Sequence, residues 1–149
     1  MLTLNSYLTF DGNCEEAFKF YQSVFGGEFT FFSRFSDMPP DTGFSVSEEE
    51  KDKIMHVTLS INDKTMLFGS DTSQAFDKNF KSGNNFSLSI NTTSREDADK
   101  KLNALAASGG KVIMPMSETF WNSYFGRCVD QYGINWMISY EMALKETEN

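Results

Sequence analysis

One unit of this sequence is written twice, and that repetition constrains the fold more than any other feature. Residues 5–29 read strand, cap, helix, glycine pair, strand: Tyr7-Leu8-Thr9-Phe10, then Asn13, then Glu16-Ala17 through Phe25, then Gly26-Gly27. Residues 85–114 give the same order: Ser87-Leu88-Ser89-Ile90, Thr93, Asp97-Ala98 through Ser108, then Gly109-Gly110. The copies are offset by 80 residues at the strands, 81 at the acidic-Ala pairs and 83 at the glycine pairs. So steady a register points to duplication, and two copies of one strand-helix-strand unit can pair and enclose a shared cavity.

Local signals fill in each copy. The first helix is predicted to start at Asn13, whose side chain can accept from a first-turn N–H while Glu16 reaches back. Cys14, Ala17, Phe18, Tyr21, Val24 and Phe25 form its inward face at helical spacing. The second is predicted to start near Thr93, with Glu96 three residues on and Ala98, Leu102, Leu105 and Ala106 as its buried stripe. The glycine pairs supply the left-handed backbone that helix ends favour. After each helix the period drops to two, predicting strands over 28–35, 53–62 and 65–69, and over 111–116, 125–130 and 135–140. The expected fold class is α+β: two paired βαβββ modules forming a cupped mixed sheet with the helices on its outer face. The chain is expected to be a single domain of 149 residues, with module 1 over about 1–72, module 2 over about 84–141 and a linker over about 73–83. The long stretch 35–53, with Met38-Pro39-Pro40 and an acidic run, is expected to be either a lid or disordered.

Charge and composition remove several function classes. Net charge is −8 with no basic stripe, which argues against a nucleic-acid partner. The acidic run 45–50 and the C-terminal tail read as solvated surface. No apolar run approaches the ~20 residues of a membrane helix and the N-terminus has no basic-then-apolar leader pattern, so a cytoplasmic location is expected, with no membrane partner. Cys14 and Cys128 make no disulfide framework and are expected as buried thiols. Fifteen Phe residues imply a core or cavity built from rings.

Taken together, Tyr7-Leu8-Thr9-Phe10-Asp11-Gly12-Asn13, Glu16-Ala17-Phe18, Phe20-Tyr21 and Phe25-Gly26-Gly27 within a paired repeat resemble the vicinal oxygen chelate superfamily of glyoxalases, extradiol dioxygenases and bleomycin-resistance proteins. The second half matches through Gly109-Gly110-Lys111-Val112, Met114-Pro115, Glu118-Thr119-Phe120-Trp121, Phe125-Gly126, Asp130, Tyr132-Gly133 and Trp136, and the closest likeness is to the PhnB-like branch. Some members of that branch carry the name 3-demethylubiquinone methyltransferase. No Gly-rich turn between a strand and a helix stands here to support an adenosyl-type cofactor. The resemblance implies metal ligands on the first and last strands of each half, near Ser6 or Tyr7, Phe68 or Gly69, Phe86 or Ser87, and Met137. None of these is His, Asp or Glu, and a divalent ion needs three or four N or O donors at about 2.0–2.2 Å. No metal site and no cofactor are therefore expected.

Chemistry could still reside in a few residues. His56 alternates with Thr58 and Ser60 on the polar face of its strand, opposite Met55, Val57, Leu59 and Ile61; it is a candidate general base, a donor to a ligand, or a structural histidine. Trp121, Tyr124 and Arg127 offer aromatic walls with one cation, suited to a flat anionic or carbonyl-bearing ligand, or else to a seam. Glu118 is a candidate base at a cavity mouth. Asp130 before Gln131-Tyr132-Gly133 suits a turn cap. Tyr7, Thr58 and Met137 complete the expected ligand-binding set.

Three functions fit these residues. The leading one is a metal-free protein that binds a small aromatic or amphipathic molecule between its modules. The alternative is a superfamily enzyme of the lyase, isomerase or dioxygenase type using His56 or a pocket acid, with or without a divalent Zn, Mg, Mn, Fe or Ni ion. The third is an interaction module with a vestigial cavity. A homodimer is expected in each case.

Overall fold

In a computed structural model, which describes residues 1–40, 43, 45–75 and 77–143, each half of the chain forms one βαβββ module. Two units result, Met1–Lys81 and Ser82–Asn149, with the boundary inside the stretch 73–83. In the first, β1 (Ser6–Phe10), α1 (Cys14–Phe25), β2 (Glu28–Arg34), β3 (Ile54–Asn62) and β4 (Thr65–Asp71) follow in order. The second repeats them as β5 (Leu88–Asn91), α2 (Arg95–Ala106), β6 (Lys111–Glu118), β7 (Ser123–Val129) and β8 (Asn135–Glu141). The sheets have matching orders, β1-β4-β3-β2 and β5-β8-β7-β6. In both, the first strand runs parallel to the last and the other neighbours are antiparallel.

One face of each sheet is closed by its helix. Cys14, Ala17, Phe18 and Tyr21 of α1 are buried together with Leu8, Phe10, Val57, Leu59 and Leu67 of the sheet. Ala98, Leu102 and Leu105 of α2 are buried with Cys128, Trp136 and Ile138. Gly69 explains how closely α1 can approach: a Cβ there would lie 2.5 Å from the Phe18 ring and 2.9 Å from the Leu8 carbonyl oxygen.

The caps differ from expectation in an instructive way. Asn13 makes no side-chain cap bond. The first-turn amide of Cys14 instead donates to Asp71 Oδ1 at 3.0 Å, and Gly12 donates to the same oxygen at 2.9 Å. A buried carboxylate from a distant strand outcompetes the local amide because it serves several donors at once. In α2 the cap is Ser94, one residue past Thr93, whose hydroxyl accepts from Asp97 N–H at 3.0 Å. Gly26 and Gly27 after α1 do have positive φ, 77° and 93°, as the glycine pair predicted.

The stretch after β2 is not wholly free. Phe35–Asp37 forms a single 3-10 turn, and the Phe35 and Ser36 amides donate to the carbonyls of Lys53 and Lys51 at 3.0 and 2.9 Å. Within the acidic run, Glu50 is a correction to the solvated-surface reading. It is buried, and its carboxylate accepts from Ser73 Oγ at 2.9 Å and from the Gln74 amide at 3.0 Å. Those two bonds depress its pKa, the backbone one most, and they tie the start of the linker to the first unit. Residues 41, 42 and 44 of the expected lid and the acidic tail 144–149 lie outside the described residues.

Candidate functional site

In the first unit the face of the sheet away from α1 carries a row of side chains across all four strands. Tyr7 of β1 stands opposite Phe68 of β4, Phe68 opposite Thr58 of β3, and Thr58 opposite Phe31 of β2. His56, two residues along β3 from Thr58, shares that face because side chains alternate along a strand. Its imidazole lies 5.6 Å from the Tyr7 ring, 5.5 Å from Phe31 and 5.8 Å from Phe68, measured between centroids. Both ring nitrogens are engaged: Nδ1 is 3.3 Å from the Tyr7 hydroxyl and Nε2 is 3.1 Å from the Thr58 hydroxyl. Tyr7 and Phe31 remain about half exposed, 51% and 50%, so the rings offer surface to a visitor. The predicted residues Tyr7, His56 and Thr58 thus come together.

Phe31 was not anticipated, and the reason is a bulge. Phe29 pairs with Leu59 and Phe31 with Thr58, so two residues of β2 answer one of β3. The bulge rephases the strand, and period two no longer tells which of its phenylalanines faces which side.

The second unit separates residues that the sequence had grouped. Tyr124 and Arg127 are three apart on β7, whose pairing with β8 is unbroken, so they point to opposite faces. Tyr124 faces α2: its hydroxyl donates to Asp99 Oδ1 at 2.7 Å, a bond that raises its pKa, and Arg95 lies 4.7 Å above its ring. Glu118 is paired with Arg95. These residues form an ion-pair cluster on the helix side, apart from Arg127. Trp121 does approach the other face, with its ring 6.3 Å from Phe125. Arg127 has Met137 and Met114 as cross-strand neighbours, and Met137 pairs with Ser89.

Asp130 serves structure. Oδ1 accepts from the Tyr132 and Ile134 amides at 2.8 and 3.1 Å, and Oδ2 accepts from Trp136 Nε1 at 2.8 Å. Asp71 has the same function in the first unit, adding the Ile54 amide at 2.8 Å to its two cap bonds. Neither thiol resembles a nucleophile. Cys14 and Cys128 are buried and free. Burial, reinforced by Asp71 and Asp130 respectively, pushes both pKa values up, to about 11 for Cys128.

The positions where ligands for a metal would stand do not supply them. Tyr7 and Phe68 face each other on the first sheet, as do Ser89 and Met137 on the second. Phe86 and Ser87 precede β5 altogether. Position 69 points at Phe18 and has no room for a side chain. Among the described residues, no three His, Cys, Asp or Glu side chains gather where they could hold an ion. The donor set does not fit a divalent cation. Among the same residues, no helix is long and apolar enough to cross a membrane.

Comparison with known proteins agrees with this architecture. The profile of the Glyoxalase/Bleomycin resistance protein/Dioxygenase superfamily matches residues 3–138. Protein YjdN of Escherichia coli is 31% identical over 140 residues, spanning 93% of this chain and 95% of its own. The crystal structure of PA1353 from Pseudomonas aeruginosa superposes with a TM-score of 0.82 at 36% identity, covering 96% of this chain and 100% of that one. The PhnB protein from Bacillus cereus superposes with a TM-score of 0.72 at 24% identity, covering 93% and 99%, a likeness of fold.

Proposed function

Because the chain belongs to the glyoxalase/bleomycin resistance protein/dioxygenase superfamily, we propose that it binds a small, flat, partly aromatic or amphipathic molecule and does so without a resident divalent metal. The observation that supports this most is the ring cluster about His56 on the open face of the first sheet. Three aromatic rings surround one imidazole, with two hydroxyls at its nitrogens, an arrangement that gives stacking area and a few directed polar groups. No carboxylate orients His56 among the described residues; its ring nitrogens meet the hydroxyls of Tyr7 and Thr58. A general base of the usual kind is held by an acid, so the geometry favours recognition over proton abstraction.

Titration of the full chain with 2-naphthol, followed through the ¹H–¹⁵N signals of the His56 ring, tests the reading. Saturable movement of those signals, in protein whose metal analysis gives far less than one divalent ion per chain, is the expected result. A stoichiometric ion, or naphthol that leaves His56 untouched, overturns it.

A further inference from the structure

We infer that Arg127 anchors a small organic anion, a carboxylate or phosphate borne on an apolar or aromatic body, on the face of the second sheet away from α2. The inference deepens the small-molecule reading by naming a ligand class, and it depends on a different unit from the His56 cluster.

The chain has three arginines. Arg34 is 2.6 Å from Glu15, and Arg95 is paired with Glu118. Among the described residues, Arg127 has no carboxylate within ion-pair distance. That is unexpected in a chain with 21 acidic and 13 basic residues, where a guanidinium at a random surface position has many acids to choose from. Arg127 is not at the rim. It lies on β7, an inner strand flanked by β8 and β6, and is half-buried.

Its direct cross-strand neighbours are apolar, while Lys111, Ser117, Asn135 and Ser139 share the same face one pair further along. Met137 and Met114 are its neighbours across the sheet. Phe125 and Val129 stand on the same side of β7, and Trp121 reaches Phe125. A charge set among thioethers and rings loses hydration without gaining a counter-ion, and an incoming anion relieves that cost. The planar fork of a guanidinium suits the two oxygens of a carboxylate or phosphate. Trp121, Phe125 and Met137 can then cover the apolar part of the same molecule. Carboxylate and phosphate share this recognition chemistry; a cation or a neutral alcohol does not.

The experiment uses the whole protein and three probes: benzoate, phenyl phosphate and benzyl alcohol. Binding is read from the Arg127 Nε–H resonance. The expected result is saturable movement with one or both anions, at least roughly tenfold tighter than with benzyl alcohol, the ratio that one charge-assisted contact confers. Arg127→Met is expected to erase the preference for the anion and Arg127→Lys to keep part of it, the charge surviving without the fork. Should Arg127→Met fail to fold by circular dichroism, the Lys variant alone decides: affinity equal to the parent's overturns the proposal. Anions that bind no better than the alcohol, or that move lysine signals and leave Arg127 unmoved, also overturn it. His56 signals in the same spectra separate the two readings. Movement at Arg127 alone supports the anion site, and movement at His56 alone supports only the ring cluster and refutes the anion site.

Discussion

The carboxylate of Asp71, at the end of β4, holds the first-turn amide of Cys14 at 3.0 Å across 57 residues of sequence. The same buried group binds Gly12 and Ile54 amides, so one side chain fixes the start of α1 and the start of β3 against the last strand. Asp71→Asn keeps one acceptor and turns an NH₂ group toward the Ile54 donor. We expect a loss of about 2–3 kcal/mol, the scale of a broken charge-assisted bond with a buried group left unpaired, read from the urea midpoint at constant m-value.

Glu50 makes stability depend on acid in a stated direction. Its bonds to Gln74 and Ser73 lower its pKa in the folded chain, so the unfolded chain takes up the proton first as pH falls. Stability from this group is complete above the ordinary glutamate pKa of about 4.3 and is lost as pH drops through the lower, folded value. Glu50→Gln is therefore expected to melt below the parent at pH 7 and to approach it at pH 3. A gap that widens in acid would contradict the assignment.

Both thiols should be silent in the native state. Buried, with pKa values pushed up by burial, Cys14 and Cys128 hold too little thiolate at pH 8 to attack a disulfide reagent. Titration with Ellman's reagent is expected to release almost no chromophore until denaturant is added, and then two equivalents per chain.

Within the ring cluster, Phe68 should matter more than His56 for holding a flat ligand. Phe68→Ala removes one wall and is expected to weaken 2-naphthol binding by about tenfold, the worth of an aromatic contact. His56→Gln keeps polar groups near Tyr7 and Thr58 and should change affinity by less than about threefold. The reverse order would favour a chemical role for the imidazole.

We propose that the chain pairs with a second copy along β6, the edge of the second sheet. Val112, Ile113 and Met114 there are 39%, 45% and 43% exposed, and an apolar edge strand invites pairing. Sedimentation at micromolar concentration is expected to give twice the 16.9 kDa chain mass, and Ile113→Lys to give half of that value. A monomeric parent would refute the dimer.

Much of the fold was legible because it rests on local signals. The helices followed from apolar spacing and glycine pairs, and the strands from alternation. What escaped depended on distant residues. Asn13 reads as a cap, yet Asp71 takes the position from across the sheet. The strand expected over 65–69 runs two residues further, to Asp71, whose carboxylate serves amides that lie far from it in sequence. Glu50 is indistinguishable by sequence from Glu48 and Glu49 until Ser73 folds against it. The separation of Tyr124 from Arg127 was available from period two, once β7 is known to run unbroken from Ser123 to Val129. Phe31 was hidden by a bulge that no pattern in β2 announces.

Gly69 has a consequence for how this scaffold could change its chemistry. Its hydrogen faces the Phe18 ring, so every larger residue at that point must displace the helix or perish. A liganding group installed on β4 to face away from α1 therefore has to stand at 66, 68 or 70, and the middle of these is Phe68, the ring beside His56. At position 68 itself, gaining a donor for an ion means giving up that ring, so the two trades exclude each other at this one residue.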